Sequence, residues 1–320
     1  MHLDDTLNLE QLSVSFSTDD GILPAVHAVS LDLPPAGITC LVGESGCGKS
    51  LTARAILHLL PDNALLSGRI IFRGRDLRTM SEEDMRALRG RHIAMIFQEP
   101  MTSLNPVLKV GMQTAEPLRL HLGLSRQEAR AEVVRLFTEV GIPAPESRYE
   151  DYPHQLSGGM RQRVMIAMAL ACKPDLLLAD EPTTALDATI QGQILNLIMA
   201  QSRKRGMAVL FITHDLGVVA RIADSVGVMY AGHLVERAPT AELFRAPLHP
   251  YTRGLMRSAP GRDAMGWKRL PTITGSVPRL DNMPAGCPFA PRCDQALPRC
   301  FDSAPLTRCE NGHSVACWAV

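Results

Sequence analysis

Eight residues constrain this chain more than any other stretch: Gly43-Glu44-Ser45-Gly46-Cys47-Gly48-Lys49-Ser50. They fit G-x-x-x-x-G-K-[ST], a loop whose glycines let backbone N–H groups turn inward where a Cβ would clash. Such a loop wraps phosphate oxygens, and it does so only between a strand and a helix, whose positive N-terminal end adds to the attraction. Both neighbours are legible. Ile38–Val42 is a short apolar run that fits a buried strand, and 50–60 has no internal Gly or Pro until Pro61 stops it, which predicts a helix opening at Ser50 and Leu51. Lys49 would reach the β- and γ-phosphates as a point charge, and the Ser50 hydroxyl would ligate Mg²⁺.

The rest of the chain suits an α/β domain with an appendage. Its 320 residues can bury a sizeable core. Residues 9–16 alternate apolar and polar side chains, the pattern of a half-buried strand. Stretches 81–90 and 125–140 read as helices opened by Ser81 and Ser125 with acids in their first turns. The apolar runs Leu176–Ala179 and Val209–Thr213, separated by helical stretches, predict a parallel sheet. Lys+Arg and Asp+Glu both number 33, so the basic excess of a nucleic-acid binder is missing. No apolar run approaches the roughly 18–20 residues that span a bilayer, and the acidic start lacks a secretory signal. The sequence is therefore expected to stay in the cytosol, with any membrane role carried by a partner.

Leu176-Leu177-Leu178-Ala179-Asp180-Glu181 supplies a second half-site: an apolar strand ending in a carboxylate for Mg²⁺, then a glutamate suited to polarise water as general base. Alone, this pattern is common. Twenty residues upstream, however, stands Leu156-Ser157-Gly158-Gly159-Met160-Arg161-Gln162-Arg163, opening a predicted helix over 160–172. Here the chain resembles the ABC ATPase family, whose signature sequence this is. The resemblance covers about residues 8–245. It implies a P-loop NTPase fold with a RecA-like core, an antiparallel β subdomain, an α-helical subdomain near 101–165, and a loop-rich extension over 246–320. It also implies roles. Ser157, Gly158, Gly159 and Gln162 would face ATP held by an opposite subunit. Gln98 would be the Q-loop residue sensing Mg²⁺ and water, joining Ser50 and Asp180 around the ion. Ala185-Leu186-Asp187 would form the D-loop at the dimer interface. Glu181 would be the base and His214 the switch histidine at the γ-phosphate. Phe16 would stack on adenine, a core or edge phenylalanine being the plain alternative.

Glu99-Pro100-Met101-Thr102-Ser103-Leu104-Asn105-Pro106, Tyr152-Pro153-His154-Gln155 and Ala246-Pro247-Leu248-His249-Pro250-Tyr251-Thr252 are similar to the subunits of dipeptide and oligopeptide importers. That branch implies a second ABC ATPase subunit, preferably as a heterodimer. It also implies two transmembrane permeases, an extracytoplasmic peptide-binding protein, and a peripheral place on the cytoplasmic face of the inner membrane. Nickel, glutathione and antimicrobial-peptide systems use similar subunits, and the cargo would be chosen by other chains. A soluble ABC protein of translation or DNA repair would carry tandem nucleotide domains or a long insertion, and this chain has one phosphate loop and one signature.

The tail after 245 holds ten of the 23 prolines and five of the eight cysteines. Cys287, Cys293, Cys300 and Cys317 are spaced C-x5-C-x6-C-x16-C, with Cys309 inside the last gap. Four thiolates suit zinc or an iron–sulfur cluster, and the paired C-x2-C of usual zinc modules is missing. The resemblance implies a 4Fe–4S cluster on those four, zinc or inert thiols being the alternatives and Cys309 or His313 possible substitutes.

Overall fold

In the computed structural model, residues 5–19, 21–99, 103–183, 186–258 and 272–320 are described. Four largely apolar runs set the architecture. β3 (Ile38–Val42), β6 (Ile93–Ile96), β7 (Leu176–Asp180) and β8 (Ala208–Ile212) pair in parallel in the order β3-β8-β7-β6. Every residue of β3, β7 and β8 is buried, as expected of strands covered on both faces. β9 (Ser225–Tyr230) adds in parallel beside β3, and β10 (His233–Pro239) turns back antiparallel to β9.

A second, antiparallel layer comes from β1 (Leu7–Thr18), flanked by β2 (Gly21–Leu33) and β4 (Ala64–Phe72), with the short β5 (Arg75–Asp76) beyond β4. Leu7, Leu9, Leu12 and Val14 of β1 are buried, and they pack with β2 and the helix α1 (Lys49–Ile56) in one apolar cluster. Burying a side chain of this size contributes about 1.5–3 kcal/mol, so the cluster firmly holds the strand that runs toward the phosphate loop.

The helix expected to run to Pro61 ends at Ile56. His58 adopts φ 53°, and Leu57 and Leu59 both donate backbone N–H groups to the Arg54 carbonyl, a left-handed turn that uses up the last helical acceptors. The helices read from their serines start there. Ser81 Oγ accepts from Asp84 N–H to open α2 (Glu82–Leu88), and Ser125 and Glu128 form a reciprocal capping box on α4 (Arg126–Glu139). α4 packs with α3 (Val110–Leu122) and α6 (Gly158–Leu170), and the short α5 (Pro145–Arg148) joins them. α7 (Ala188–Arg205) and α8 (Leu216–Ile222) follow β7 and β8.

The tail begins after α9 (Thr240–Arg245). Its longest described helix is α10 (Pro250–Ser258), followed by the single turn α11 (Arg299–Asp302) and the hairpin β11 (Arg308–Glu310) and β12 (His313–Val315). Composition sets the tail apart, yet it packs into the main core. β12 pairs with β10, and Tyr251, Cys287, Phe289, Ala290 and Cys300 join the same apolar cluster as the parallel strands. Glu236 of β10, fully buried, accepts from the N–H groups of Leu248 (2.7 Å) and His249 (2.9 Å) and from His313 Nε2 (2.7 Å), so one carboxylate ties the tail at two points.

Candidate functional site

Four parallel neighbours deliver their carboxyl ends to one edge of the sheet, the usual ligand-binding edge of an open α/β fold. β3 runs into the phosphate loop, β7 ends in Asp180, β8 leads through Thr213 to His214, and β6 leads to the exposed Gln98. Register brings the last three strands level: Ile96 lies opposite Ala179, and Asp180 opposite Ile212.

The loop itself is tightly built at its start. A Cβ on Gly43 would sit 2.1 Å from the Met229 carbonyl oxygen and 2.8 Å from Cys47 Sγ, so no other residue fits there. Gly46 (φ 79°) and Gly48 (φ 98°) supply the left-handed turns, and Gly48 is the cap of α1. Ser45 and Gly46 are exposed, Cys47, Gly48 and Lys49 are buried, and Leu51 packs against the apolar cluster under β1. Lys49 Nζ donates to the carbonyls of Gly43 (2.8 Å) and Glu44 (2.9 Å) and to Cys47 Sγ (3.4 Å). Burial pushes the Cys47 thiol up, against the pull of the Lys49 ammonium.

Ser50 Oγ donates to Asp180 Oδ1 at 3.0 Å. Burial pushes the Asp180 carboxyl up, the Ser50 hydroxyl works against that, and the adjacent Glu181 adds to it. A hydroxyl and a buried carboxylate side by side are a hard-oxygen donor pair, and they fit Mg²⁺. Glu181, at φ 47°, turns out of the strand, and its Oε1 lies 3.2 Å from His214 Nδ1. Asp215 caps α8, with Oδ1 accepting from Gly217 and Val218 N–H groups, which fixes the turn carrying His214. Gly43, Glu44, His214 and Asp215 line a cavity of about 400 Å³ whose far wall is Leu255 and Ser258 of α10.

Ser157 caps α6, its Oγ accepting from Met160 N–H at 3.3 Å, and among the described residues nothing lies within 4 Å of where a Gly158 Cβ would stand. Ser157, Gly159, Met160, Leu186 and Asp187 line a different cavity of about 430 Å³, which shares no residue with the one beside the phosphate loop. Asp187 also caps α7, accepting from Thr189 and Ile190 N–H groups. Ala185, like Pro100, Met101 and Thr102, lies outside the described residues. Gln162 is buried, and its Nε2 donates to the Pro182 carbonyl at 2.7 Å, so its amide is engaged within its own chain. Phe16 is half-buried near the end of β1, packed on the cluster that includes Cys47.

The tail does not supply the metal site implied by its cysteines. Among the described residues, no group of three or more His, Cys, Asp or Glu side chains is disposed to hold a metal ion. All eight cysteines are free, with Cys287, Cys300 and Cys317 buried and Cys293 half-buried. Cys293, Cys300 and Cys317 each accept a nearby backbone N–H, from Gln295, Leu297 and Ala319 respectively, all at 3.4 Å. Burial pushes the Cys287 thiol up to about 11 and raises those of Cys293 and Cys317. The substitutes fare no better: Cys309 is exposed on β11, and His313 is committed to Glu236. Neither a 4Fe–4S cluster nor zinc fits this donor set.

Sequence reading missed what grips Glu44. Arg292, 248 residues away, meets its carboxylate with both terminal nitrogens (2.6 and 3.0 Å), and Glu44 N–H donates to Tyr251 Oη at 2.9 Å. No local signal marks a pairing across that separation.

Comparison with known proteins places the chain among ATP-binding cassettes. A family profile described as "ABC transporter" matches residues 26–184, and one described as "Oligopeptide/dipeptide transporter, C-terminal region" matches 235–300. The chain is 49% identical over 319 residues to the dipeptide transport ATP-binding protein DppD of Bacillus subtilis, covering 99% of this chain and 95% of that one. It is 47% identical over 312 residues to the oligopeptide transport ATP-binding protein OppD of Salmonella typhimurium, covering 98% and 93%. Among solved structures, the post-hydrolysis dimer of the ATP-binding cassette MJ0796 with ADP and Pi matches with a TM-score of 0.67 at 25% identity, over 73% of this chain and 98% of that one. CbiO1 of Clostridium perfringens, part of an ABC transporter complex, matches with a TM-score of 0.62 at 27% identity, over 76% and 92%.

Proposed function

The chain belongs to the family of ATP-binding subunits of peptide-importing ABC transporters, and from that premise we propose how its residues divide the work of ATP hydrolysis. Residues 1–245 act as the nucleotide-binding domain and 246–320 as its extension. Backbone N–H groups of Gly43–Ser50 cradle the ATP phosphates, and Lys49, its ammonium kept on the Glu44 carbonyl, directs its remaining donors to the β- and γ-phosphates. Phe16 stacks on adenine. Ser50, Asp180 and Gln98 hold Mg²⁺, which when bound neutralises charge on the phosphate oxygens. Glu181 takes a proton from the attacking water, and His214, 3.2 Å from it, orients that carboxylate and meets the γ-phosphate.

The observation that carries the rest is the separation of two cavities. The signature residues Ser157 and Gly159 share a cavity with Leu186 and Asp187, apart from the loop that would hold this chain's own nucleotide. A signature that serves ATP must then serve it on another subunit. Two nucleotide domains therefore close head-to-tail around ATP, with a second, similar ATPase as the preferred partner. A groove on the helical subdomain, with exposed Leu108, Met112 and Leu120 beside Glu116 and Arg119, receives a cytoplasmic segment of a permease. Among the described residues, no helix is long and apolar enough to cross a membrane, so the subunit sits peripherally on two permeases supplied with peptide by a binding protein.

Co-purification from membranes tests this reading. A second ATPase, two permeases and a peptide-binding protein are expected. Recovery as a lone homodimer would refute the heterodimer, and turnover unchanged by Ser157→Arg would refute action of the signature on a partner's ATP.

A further inference from the structure

Glu44 is held on every polar atom it has. Its carboxylate meets Arg292 Nη1 and Nη2 at 2.6 and 3.0 Å, its N–H donates to Tyr251 Oη at 2.9 Å, and its carbonyl accepts from Lys49 Nζ at 2.9 Å. Two of these three holds come from the tail, and the third is the lysine that must reach the phosphates. We propose that Arg292 and Tyr251 are positioning residues for ATP hydrolysis. They fix the Glu44 peptide, and that peptide fixes the Lys49 ammonium.

The clamp is rigid on the tail side. Arg292 Nε donates to the Thr274 carbonyl (2.8 Å), Nη2 to the Ile273 carbonyl (3.3 Å) and Nη1 to Tyr230 Oη (3.3 Å), and the side chain is only 5% exposed. Tyr251 is fully buried, its ring edge-on to Tyr230 at 4.7 Å and tilted against Phe289 at 5.3 Å. Neither group can follow the loop if it shifts, so the loop is set by them. The opposite side of the loop is equally confined, since Gly43 abuts the Met229 carbonyl. A planar guanidinium fork on a carboxylate also fixes direction as well as distance, which a lysine would not.

A salt bridge that merely held the tail down would not need to fall on this residue. Here each bond bears on a peptide unit whose carbonyl is a ligand of the reactive lysine. Misplacing a charge by about 1 Å in a phosphoryl-transfer site costs on the order of a hundredfold in rate, so a partial loosening should be readable in kcat. The inference rests on the ATPase reading above.

The test uses the full chain in the purified transporter and compares Glu44→Gln, Arg292→Gln, Arg292→Lys, their double combination E44Q/R292Q, and Tyr251→Phe. ATP turnover is measured against ATP concentration, and the folded fraction by thermal unfolding. E44Q and R292Q should each lower kcat about tenfold per folded chain with KM within threefold. The double variant should be no worse than about twofold below either single, because the two side chains act as one unit. R292K should recover part of the loss, and Tyr251→Phe, which removes one acceptor and keeps the ring, should lower kcat a few-fold. Should R292Q fail to fold, E44Q, on a partly exposed side chain, decides the matter. Unchanged kcat in E44Q, a raised KM with kcat intact, or losses that multiply in the double variant would each overturn the proposal. No turnover by the unmodified transporter would instead overturn the ATPase reading itself.

Discussion

Glu236 offers a prediction whose size follows from donor and acceptor counting. Its Oε1 accepts from Leu248 N–H and His313 Nε2, and its Oε2 from His249 N–H. Glu236→Gln keeps shape and volume, so no cavity opens, but an amide has one acceptor end and one donor end. With its oxygen toward Leu248, its NH₂ faces the His249 N–H; flipped, it faces the Leu248 N–H. Either way one buried backbone donor loses its partner, at about 1–3 kcal/mol, and the remaining bonds lose their charge assistance. The sum is roughly 2–4 kcal/mol, which for a chain of this size lowers the unfolding midpoint by roughly 4–8 °C. The loss falls at the head of α10, two residues before Tyr251, so hydrogen exchange should quicken first in α10 and the β11–β12 hairpin. Differential scanning calorimetry and exchange mass spectrometry measure both. A midpoint within about 1 °C of the parent, with unchanged exchange in α10, would refute the accounting.

Other expectations are as direct. Gly43→Ala forces a methyl to 2.1 Å from the Met229 carbonyl and should abolish binding of a fluorescent ATP analogue; retained affinity would show the loop opens without cost. His249 is buried and His233 half-buried, and burial lowers each from 6.5 to about 4, while Tyr251 N–H donates to His249 Nδ1 at 3.1 Å. Between pH 6.5 and about 4 the unfolded chain binds protons that the folded chain does not. Stability is therefore full above 6.5, falls as pH drops through that window and levels below it, by about 3 kcal/mol per ring at about 1.4 kcal/mol per unit. Urea midpoints across pH should show this, and His233→Gln should make the slope shallower; an unchanged slope would contradict it. Met112→Glu with Leu120→Glu should free the subunit from membranes while ATP affinity stays within twofold, as sedimentation with nucleotide titration would reveal; continued membrane retention would rule out that groove.

What the sequence disclosed was local. Ser81, Ser125 and Ser157 announce helices because a cap acts within three residues, and Ile38–Val42 announces a buried strand because all but Thr39 are apolar. His58 was not legible as a terminator, since a histidine in a left-handed turn carries no signature. The tail misled through its cysteines, because spacing along the chain does not reveal whether folding gathers their side chains, and among the described residues no three are disposed to hold a metal ion. Gln162, expected at a partner's ATP, has its amide nitrogen on the Pro182 carbonyl, a contact between two elements that only folding brings together. The Arg292–Glu44 fork joins residues too far apart for any pattern to connect.

Peptide uptake driven by ATP in proteoliposomes holding the whole transporter tests the central claim most directly, with Glu181→Gln in this chain as the perturbation. Loss of the general base should cut both turnover and uptake by about 10²–10⁴-fold, while ATP still binds and holds the nucleotide domains together. Uptake at the parental rate would contradict the claim that this chain hydrolyses the ATP that drives import.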